Sequence, residues 1–187
     1  MTGLPAPVIR GAKESDAVSL AQIAEGTFRE AFAQANTRQN MDAHCAKTFG
    51  AAQQLNEIRN GEMFKLLAEI DTRLIAFGQL RTGVAPGCVQ GRRPMEIYRL
   101  YVKSQWHGKG IARHLMSALI DRALEAGAKT LWLGVWEHNP RALAFYGKFG
   151  FRCVGDHTFV LGTDAQRDLI MQLEVAGEPP NNCWRGP

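Results

Sequence analysis

Gln105-Trp106-His107-Gly108-Lys109-Gly110-Ile111-Ala112 is the stretch on which the fold of this 187-residue chain turns. It joins an apolar run from Glu96 to Val102, which reads as a strand, to an amphipathic run from about Ile111 to Ala126. In the second run Ala112, Leu115, Met116, Leu119, Ala123 and Leu124 recur three or four apart, while Arg113, Asp121, Arg122 and Glu125 mark the other side. That period predicts a helix. Glycines at the join let backbone amides converge, and a helix start offers free amides and a positive dipole end to an anion, with Lys109 adding charge. The dinucleotide fingerprint would need glycine where Arg113 stands, and the phosphate-loop pattern G-x-x-x-x-G-K-[ST] is absent. Taken alone, the octapeptide is also explained as a tight turn with incidental glycines.

Toward the N-terminus, Pro7 to Ala12 reads as a short opening strand. A helix follows that Ser15 or Asp16 can cap, with Val18, Leu20, Ile23, Ala24 and Phe28 as its apolar members. A second helical region starts near Asn40 and runs, broken at Gly50, to about Asn60. Phe64 to Ile70 and Leu74 to Leu80, separated by Asp71-Thr72-Arg73, form a hairpin, and Gly83 to Pro94 is a Gly/Pro/Arg loop. Toward the C-terminus, Gly127 stops the long helix, Thr130 to Trp136 is the next strand, and Pro140 suits the first turn of a short helix. Phe151 to Leu161 and Asp168 to Val175 supply two closing strands. The whole predicts one domain, residues 1–176, and a flexible tail, 177–187.

Composition excludes several classes. Hydrophobic residues make up 45% and charged residues 21%, so the chain can bury a core and is not of the disordered type. The net charge of +4 could suggest nucleic acid, but it carries no dense basic run, Arg92-Arg93 being the only adjacent basic pair, and so mild an excess fits an anionic cofactor equally well. No apolar signal core follows Met1 and no long apolar run suggests a membrane span, so a cytoplasmic location is expected. Cys45, Cys88, Cys153 and Cys183 are scattered without metal-ligand spacing, which predicts free thiols and no metal. Cys153, in an apolar strand, is expected to be buried.

A second stretch adds to the octapeptide. Gln105-x-x-Gly108-x-Gly110, after Leu100-Tyr101-Val102, is followed by Asn139-Pro140-Arg141-Ala142-Leu143-Ala144-Phe145-Tyr146 and Gly150-Phe151. The two resemble, in the same order, the acetyl-CoA signature and the N-x-x-A-x-x-F-Y…G-F segment of the GNAT acetyltransferases. Asn36-Thr37-Arg38-Gln39-Asn40-Met41, Trp132-Leu133-Gly134-Val135-Trp136-Glu137, Val154-Gly155-Asp156-His157 and Asp168-Leu169-Ile170-Met171 are similar to the PaiA-like branch, bacterial polyamine acetyltransferases. The long Gly83 to Pro94 loop, Ala112 in place of a frequent glycine and Tyr98 in place of a frequent acid depart from the pattern.

The resemblance implies an α/β (α+β) fold: a mixed, mostly antiparallel sheet of about seven strands with a central splayed parallel pair, flanked by about four helices. It implies acetyl-CoA as cosubstrate, with main-chain groups of Leu100, Tyr101 and Val102 pairing with the pantetheine arm. Amides between Trp106 and Ile111 would hold the pyrophosphate, with Gln105, His107, Gly108, Lys109, Gly110 and Ala112 in the same turn. Asn139 would bond the arm from the other side, beside Ala142. Tyr146 matches the family's tyrosine next to the CoA sulfur, and Glu96 sits where some relatives place a general base. On the acceptor side, Phe28, Tyr98 and Trp136 could pack methylenes or stack with charge, and Glu137 or Asp156 could attract a cation, although each residue also suits a structural role. His138 and His157 are left without a role. The expected reaction is direct acetyl transfer to a primary amine of a small, polyamine-like molecule, with no nucleic acid or membrane partner and a homodimer allowed for. The alternatives are acetylation of protein N-termini or lysines, and a regulatory module that binds acetyl-CoA without turnover.

Overall fold

The computed structural model describes residues 5–175. The predicted tail, 177–187, lies outside them, as does the end of the predicted domain. In chain order the elements are β1 (Val8–Gly11), α1 (Ala17–Phe32), α2 (Arg38–Thr48), α3 (Ala51–Arg59), β2 (Met63–Ile70), β3 (Arg73–Arg81), β4 (Pro94–Val102), α4 (Ile111–Glu125), β5 (Thr130–Trp136), α5 (Pro140–Lys148), β6 (Arg152–Leu161) and β7 (Asp164–Glu174). Among the described residues five α-helices stand where about four were expected. The difference arises at Gly50, whose extended backbone (ψ 151°) separates α2 from α3, while Phe49 closes α2 onto the Cys45 carbonyl. Asp16 precedes α1 but does not cap it with its side chain; its carboxylate binds the Arg10 guanidinium and the Lys13 amide instead.

The seven strands form one sheet in the order β1-β2-β3-β4-β5-β7-β6. Every neighbouring pair is antiparallel except β4 and β5, which are parallel. A tight turn closes β2 and β3, with Asp71 and Thr72 both in the left-handed region (φ 48° and 62°), as a two-residue hairpin demands. On one face α4 and α5 cover Ile75, Leu80, Ile97, Leu131, Leu133 and their neighbours. Gly78 is required there, because a β-carbon would lie 2.7 Å from Leu119 Cδ1. On the other face α1, α2 and α3 cover Leu67 and Phe77 with Leu20, Phe28, Met41 and Phe49.

Two features of β4 position the site. Its register against β3 shifts so that Gln79 faces Arg99 and Leu80 faces Ile97, leaving Tyr98 as the extra residue of a bulge. Its ladder with β5 comprises Pro94↔Thr130, Met95↔Leu131 and Glu96↔Trp132, although β4 runs on to Val102 and β5 to Trp136. Beyond Glu96 and Trp132 the two strands part, leaving their facing backbone edges unpaired.

Candidate active site

The turn between β4 and α4 begins with a short 3-10 turn, Ser104–Trp106. It uses the amides of Trp106 and His107, which donate to the carbonyls of Lys103 and Ser104. The expectation that amides from Trp106 onward hold an anion is therefore corrected. The amides from Gly108 to Arg113 make no backbone hydrogen bond among the described residues, and these form the open set. Gly108 (φ 76°) and Gly110 (φ 80°) adopt the left-handed conformation that turns these amides outward. Gln105, His107, Gly108, Lys109 and Gly110 are exposed, whereas Ile111 is buried and Ala112 half-buried. Lys109 Nζ lies 4.7 Å from the Trp106 ring centroid, and the buried Trp106 Nε1 has no hydrogen-bond partner. The His107 ring ties the turn in place: Nε2 donates to the Val102 carbonyl at 2.7 Å, and Nδ1 accepts from Arg141 Nη1 at 2.8 Å. Those two bonds assign the neutral Nε2–H tautomer.

Leu100, Tyr101 and Val102 pair with Gly78, Phe77 and Ala76 on their β3 side and with nothing toward β5. Across the gap, Asn139 caps α5, its Oδ1 accepting from the Ala142 amide at 3.0 Å, so its Nδ2 faces outward without a partner among the described residues. The open strand edges, the outward amides and exposed Lys109 together fit a long anion-tipped arm with amides along its length.

Tyr146 lies on α5 with its ring against Phe145 and Phe151. Its hydroxyl makes no hydrogen bond among the described residues, and burial pushes its pKa up to about 12. Glu96 stands at the point where the strands part. It is 9% exposed, and its Oε2 accepts from Arg81 Nε at 2.8 Å and Nη2 at 2.5 Å. Burial raises its pKa, against the opposing pull of Arg81. Arg81, Thr82, Gly83, Val84, Glu96 and Trp132 line a cavity of about 250 Å³. The loop expected over Gly83 to Pro94 ends one residue earlier, because Pro94 already pairs with Thr130. Gln90 and Gln172 exchange two hydrogen bonds, and the Cys88 thiol sits over Gly155.

The expected acceptor residues do not form one group. Phe28 is a core side chain, stacked on His44 with centroids 4.6 Å apart and packed on Phe32 and Phe49. Tyr98, the bulge residue, is held between the guanidinium groups of Arg81 and Arg99, at 3.9 and 4.5 Å. Trp136 packs edge-on against Phe32 and His138. Glu137 and Asp156 share one partner, Arg167, each at 3.2 Å. Cys153 is exposed, not buried: it lies on β6, the edge strand of the sheet, whose residues are mostly open to solvent. Sequence reading gave no role to Asp168 or His157, neighbours on β7 and β6 that both approach Gly134 of β5. The available signal was a glycine in an otherwise bulky strand, Leu131-Trp132-Leu133-Gly134-Val135-Trp136.

With this geometry, the comparison with known proteins decides the family. Residues 19–151 match the pattern of the acetyltransferase (GNAT) family. The chain belongs to that family. An uncharacterized N-acetyltransferase of Mycobacterium bovis is 30% identical over 161 residues, 86% of this chain and 99% of the relative. The spermine/spermidine N(1)-acetyltransferase of Bacillus subtilis is 31% identical over 62 residues, 33% of this chain and 41% of that enzyme. Among solved structures, the PaiA N-acetyltransferase from Thermoplasma acidophilum in complex with coenzyme A matches with a TM-score of 0.75 at 22% identity, over 91% of this chain and 99% of that one. This GNAT protein is thus an acetyl-CoA-dependent N-acetyltransferase. Among the described residues, no helix is long and apolar enough to cross a membrane, and no group of His, Cys, Asp and Glu side chains is arranged to hold a metal ion.

Proposed function

We propose that this N-acetyltransferase moves the acetyl group directly to a primary amine of a small cationic molecule, with polyamines as the first class to test. One observation carries the choice of a cation. Around the far end of the splay Glu137 and Asp156 share one guanidinium, Arg167, while Asp168 has no Lys or Arg partner among the described residues and faces only the His157 ring at 3.9 Å, so negative charge is in excess there. The short match to the spermine/spermidine enzyme supports the same reading.

Acetyl-CoA supplies the thioester. The amides from Gly108 to Arg113 bind its phosphates, the open edges of Leu100 to Val102 and Asn139 orient its arm, and the helix start and Lys109 balance its charge. Transfer then needs a route by which two protons leave the amine nitrogen. Tyr146, with a pKa near 12, is too weak an acid to ionise beside a thiolate whose ordinary value is about 8.5. Its hydroxyl acts as a relay, giving a proton to sulfur while taking one from nitrogen. Glu96 has the position of a base and a raised pKa, but Arg81 occupies one of its oxygens.

A thiol-release screen tests the proposal, using purified protein, acetyl-CoA and a panel of polyamines, amino acids, aminoglycosides and peptides. Polyamines are expected to turn over, with KM rising as salt screens the acidic rim. Acetylation of a peptide N-terminus alone would replace the small-amine reading with the protein-modifying one, and no turnover of any amine would favour the regulatory module.

A further inference from the structure

The sheet register brings together three residues with no role so far. Gly134 faces Ile170 across β5 and β7, while Asp168 faces Trp136 on β5 and His157 on β6. Gly134 lies on the part of β5 that has left β4, and it is exposed although Leu133 and Val135 beside it are buried. A β-carbon added there would sit 3.2 Å from His157 Nε2 and 3.6 Å from Asp168 Oδ2. These two atoms are themselves 3.9 Å apart, too far for a mutual hydrogen bond. Asp168 has 15% of its side chain exposed and His157 42%, so solvent reaches the gap between them. The missing side chain leaves space for one heavy atom bracketed by a carboxylate oxygen and an imidazole nitrogen, beside the edge along which the thioester must lie.

We infer that the space over Gly134 is the ammonium subsite of the acceptor, with Asp168 binding the cation and His157 Nε2 taking its proton. The inference rests on the acetyltransferase reading above and adds the residues that recognise and deprotonate the amine. An ammonium nitrogen in this space can donate to both acceptors at once. One proton passes to Nε2 and on to solvent, which leaves the nitrogen lone pair free. The C–N bond then forms as the C–S bond breaks, and the second nitrogen proton reaches sulfur through the Tyr146 hydroxyl. The imidazolium formed in the first step lies beside Asp168, which stabilises it.

The other charged groups around His157 fit this assignment. Glu96 on β4, Asp156 beside it and Asp168 on β7 are the carboxylates that feel its charge. Arg167 is taken up by Asp156 and Glu137, and Trp136 of β5 and Phe32 of α1 add apolar surface. Burial raises the Asp168 pKa, and a cation over Gly134 opposes that shift.

Two measurements test the subsite. In the first, histidine-labelled protein saturated with CoA is titrated with methylammonium, followed by NMR; the His157 resonance is identified by its loss in His157→Gln. Methylammonium should shift this resonance, tetramethylammonium, which cannot donate, should leave it in place, and Gly134→Ala should abolish the response. No shift in the wild type, or an equal shift with tetramethylammonium, would overturn the assignment without reference to turnover. In the second, with any amine that is acetylated, Gly134→Ala and Asp168→Asn should raise amine KM at least tenfold with CoA affinity unchanged. His157→Gln should lower kcat by ~100-fold and remove the acid limb of the kcat/KM profile, whereas Glu96→Gln should keep that limb. A limb that survives His157→Gln and vanishes in Glu96→Gln would return the base to Glu96 and sink the role given to His157. If no amine turns over but the His157 signal responds to methylammonium, the subsite stands and the acetyl-transfer reading falls.

Discussion

At the scale of single residues, Tyr146 separates chemistry from packing. Phenylalanine keeps the ring against Phe145 and Phe151 and removes only the oxygen, which has no partner to lose within the described residues. Tyr146→Phe should leave the melting temperature unchanged and lower the single-turnover rate by ~100-fold, with CoA affinity intact, if the hydroxyl relays the proton. Because its pKa is near 12, Tyr146 should contribute no limb to the rate profile below about pH 9. A wild-type rate in the variant would assign the residue to packing. Tyr146 was legible because it lies inside a contiguous motif. His157 and Asp168 were not, since the two are eleven positions apart in sequence and become neighbours only through the β6–β7 register.

Local elements follow local rules, and two predictions belong here. Gly110 caps α4 with φ 80° and has no β-carbon to shield the amides behind it. Gly110→Asp adds left-handed strain of about 1 kcal/mol and a negative charge where phosphate must sit. Calorimetry should find CoA binding weakened by two orders of magnitude or more in a protein that still shows the wild-type circular dichroism spectrum. Thr72 is the opposite case, a β-branched residue held at φ 62° by the hairpin. Strain of about 1–3 kcal/mol outweighs the 0.5–1 kcal/mol of chain entropy that glycine loses on folding, so Thr72→Gly should stabilise the protein by about 1 kcal/mol. Urea unfolding followed by tryptophan fluorescence checks it; a destabilised variant would mean that the Thr72 hydroxyl matters more than its backbone angle. The boundaries of α4, β5 and α5 were readable because glycine, proline and apolar period marked them. The full length of β7 was not, since Asp164, Gln166 and Arg167 are polar and the segment becomes a strand by pairing with β6.

In the molecule as a whole, a buried ionic cluster joins four elements, α3, β2, β3 and β4. Glu57 of α3 accepts from Lys65 of β2 at 2.6 Å and from Arg99 of β4 at 2.7 Å, with Gln54 and Gln79 completing the network. Burial lowers Lys65 to about 8 despite the carboxylate beside it. The cluster holds two cations and one anion, so Glu57→Gln strands both cations and should destabilise the fold by about 3–5 kcal/mol. Burial works to raise the Glu57 pKa, but Arg99 and Lys65 prevail and hold it below 4.5 in the fold. The unfolded chain therefore binds the proton first as pH falls. The stability from this carboxylate is present above pH about 4.5 and lost as pH drops through the folded value. Unfolding curves across that window should show a shallower acid loss in Glu57→Gln; an unchanged slope would remove Glu57 from the acid response.

The sequence by itself determined the order of the elements, the glycine-bearing helix start and the family, because each rests on residues near one another in the chain. It also marked Tyr146, Asn139 and Glu96, which sit in motifs or at strand ends. Only the tertiary structure decided where the β4–β5 ladder stops, that Arg81 holds Glu96, that Arg167 takes up Glu137 and Asp156, and that His157 and Asp168 meet over Gly134. Each of these depends on strand register, and register is set by cross-strand packing and bulges between segments distant in sequence.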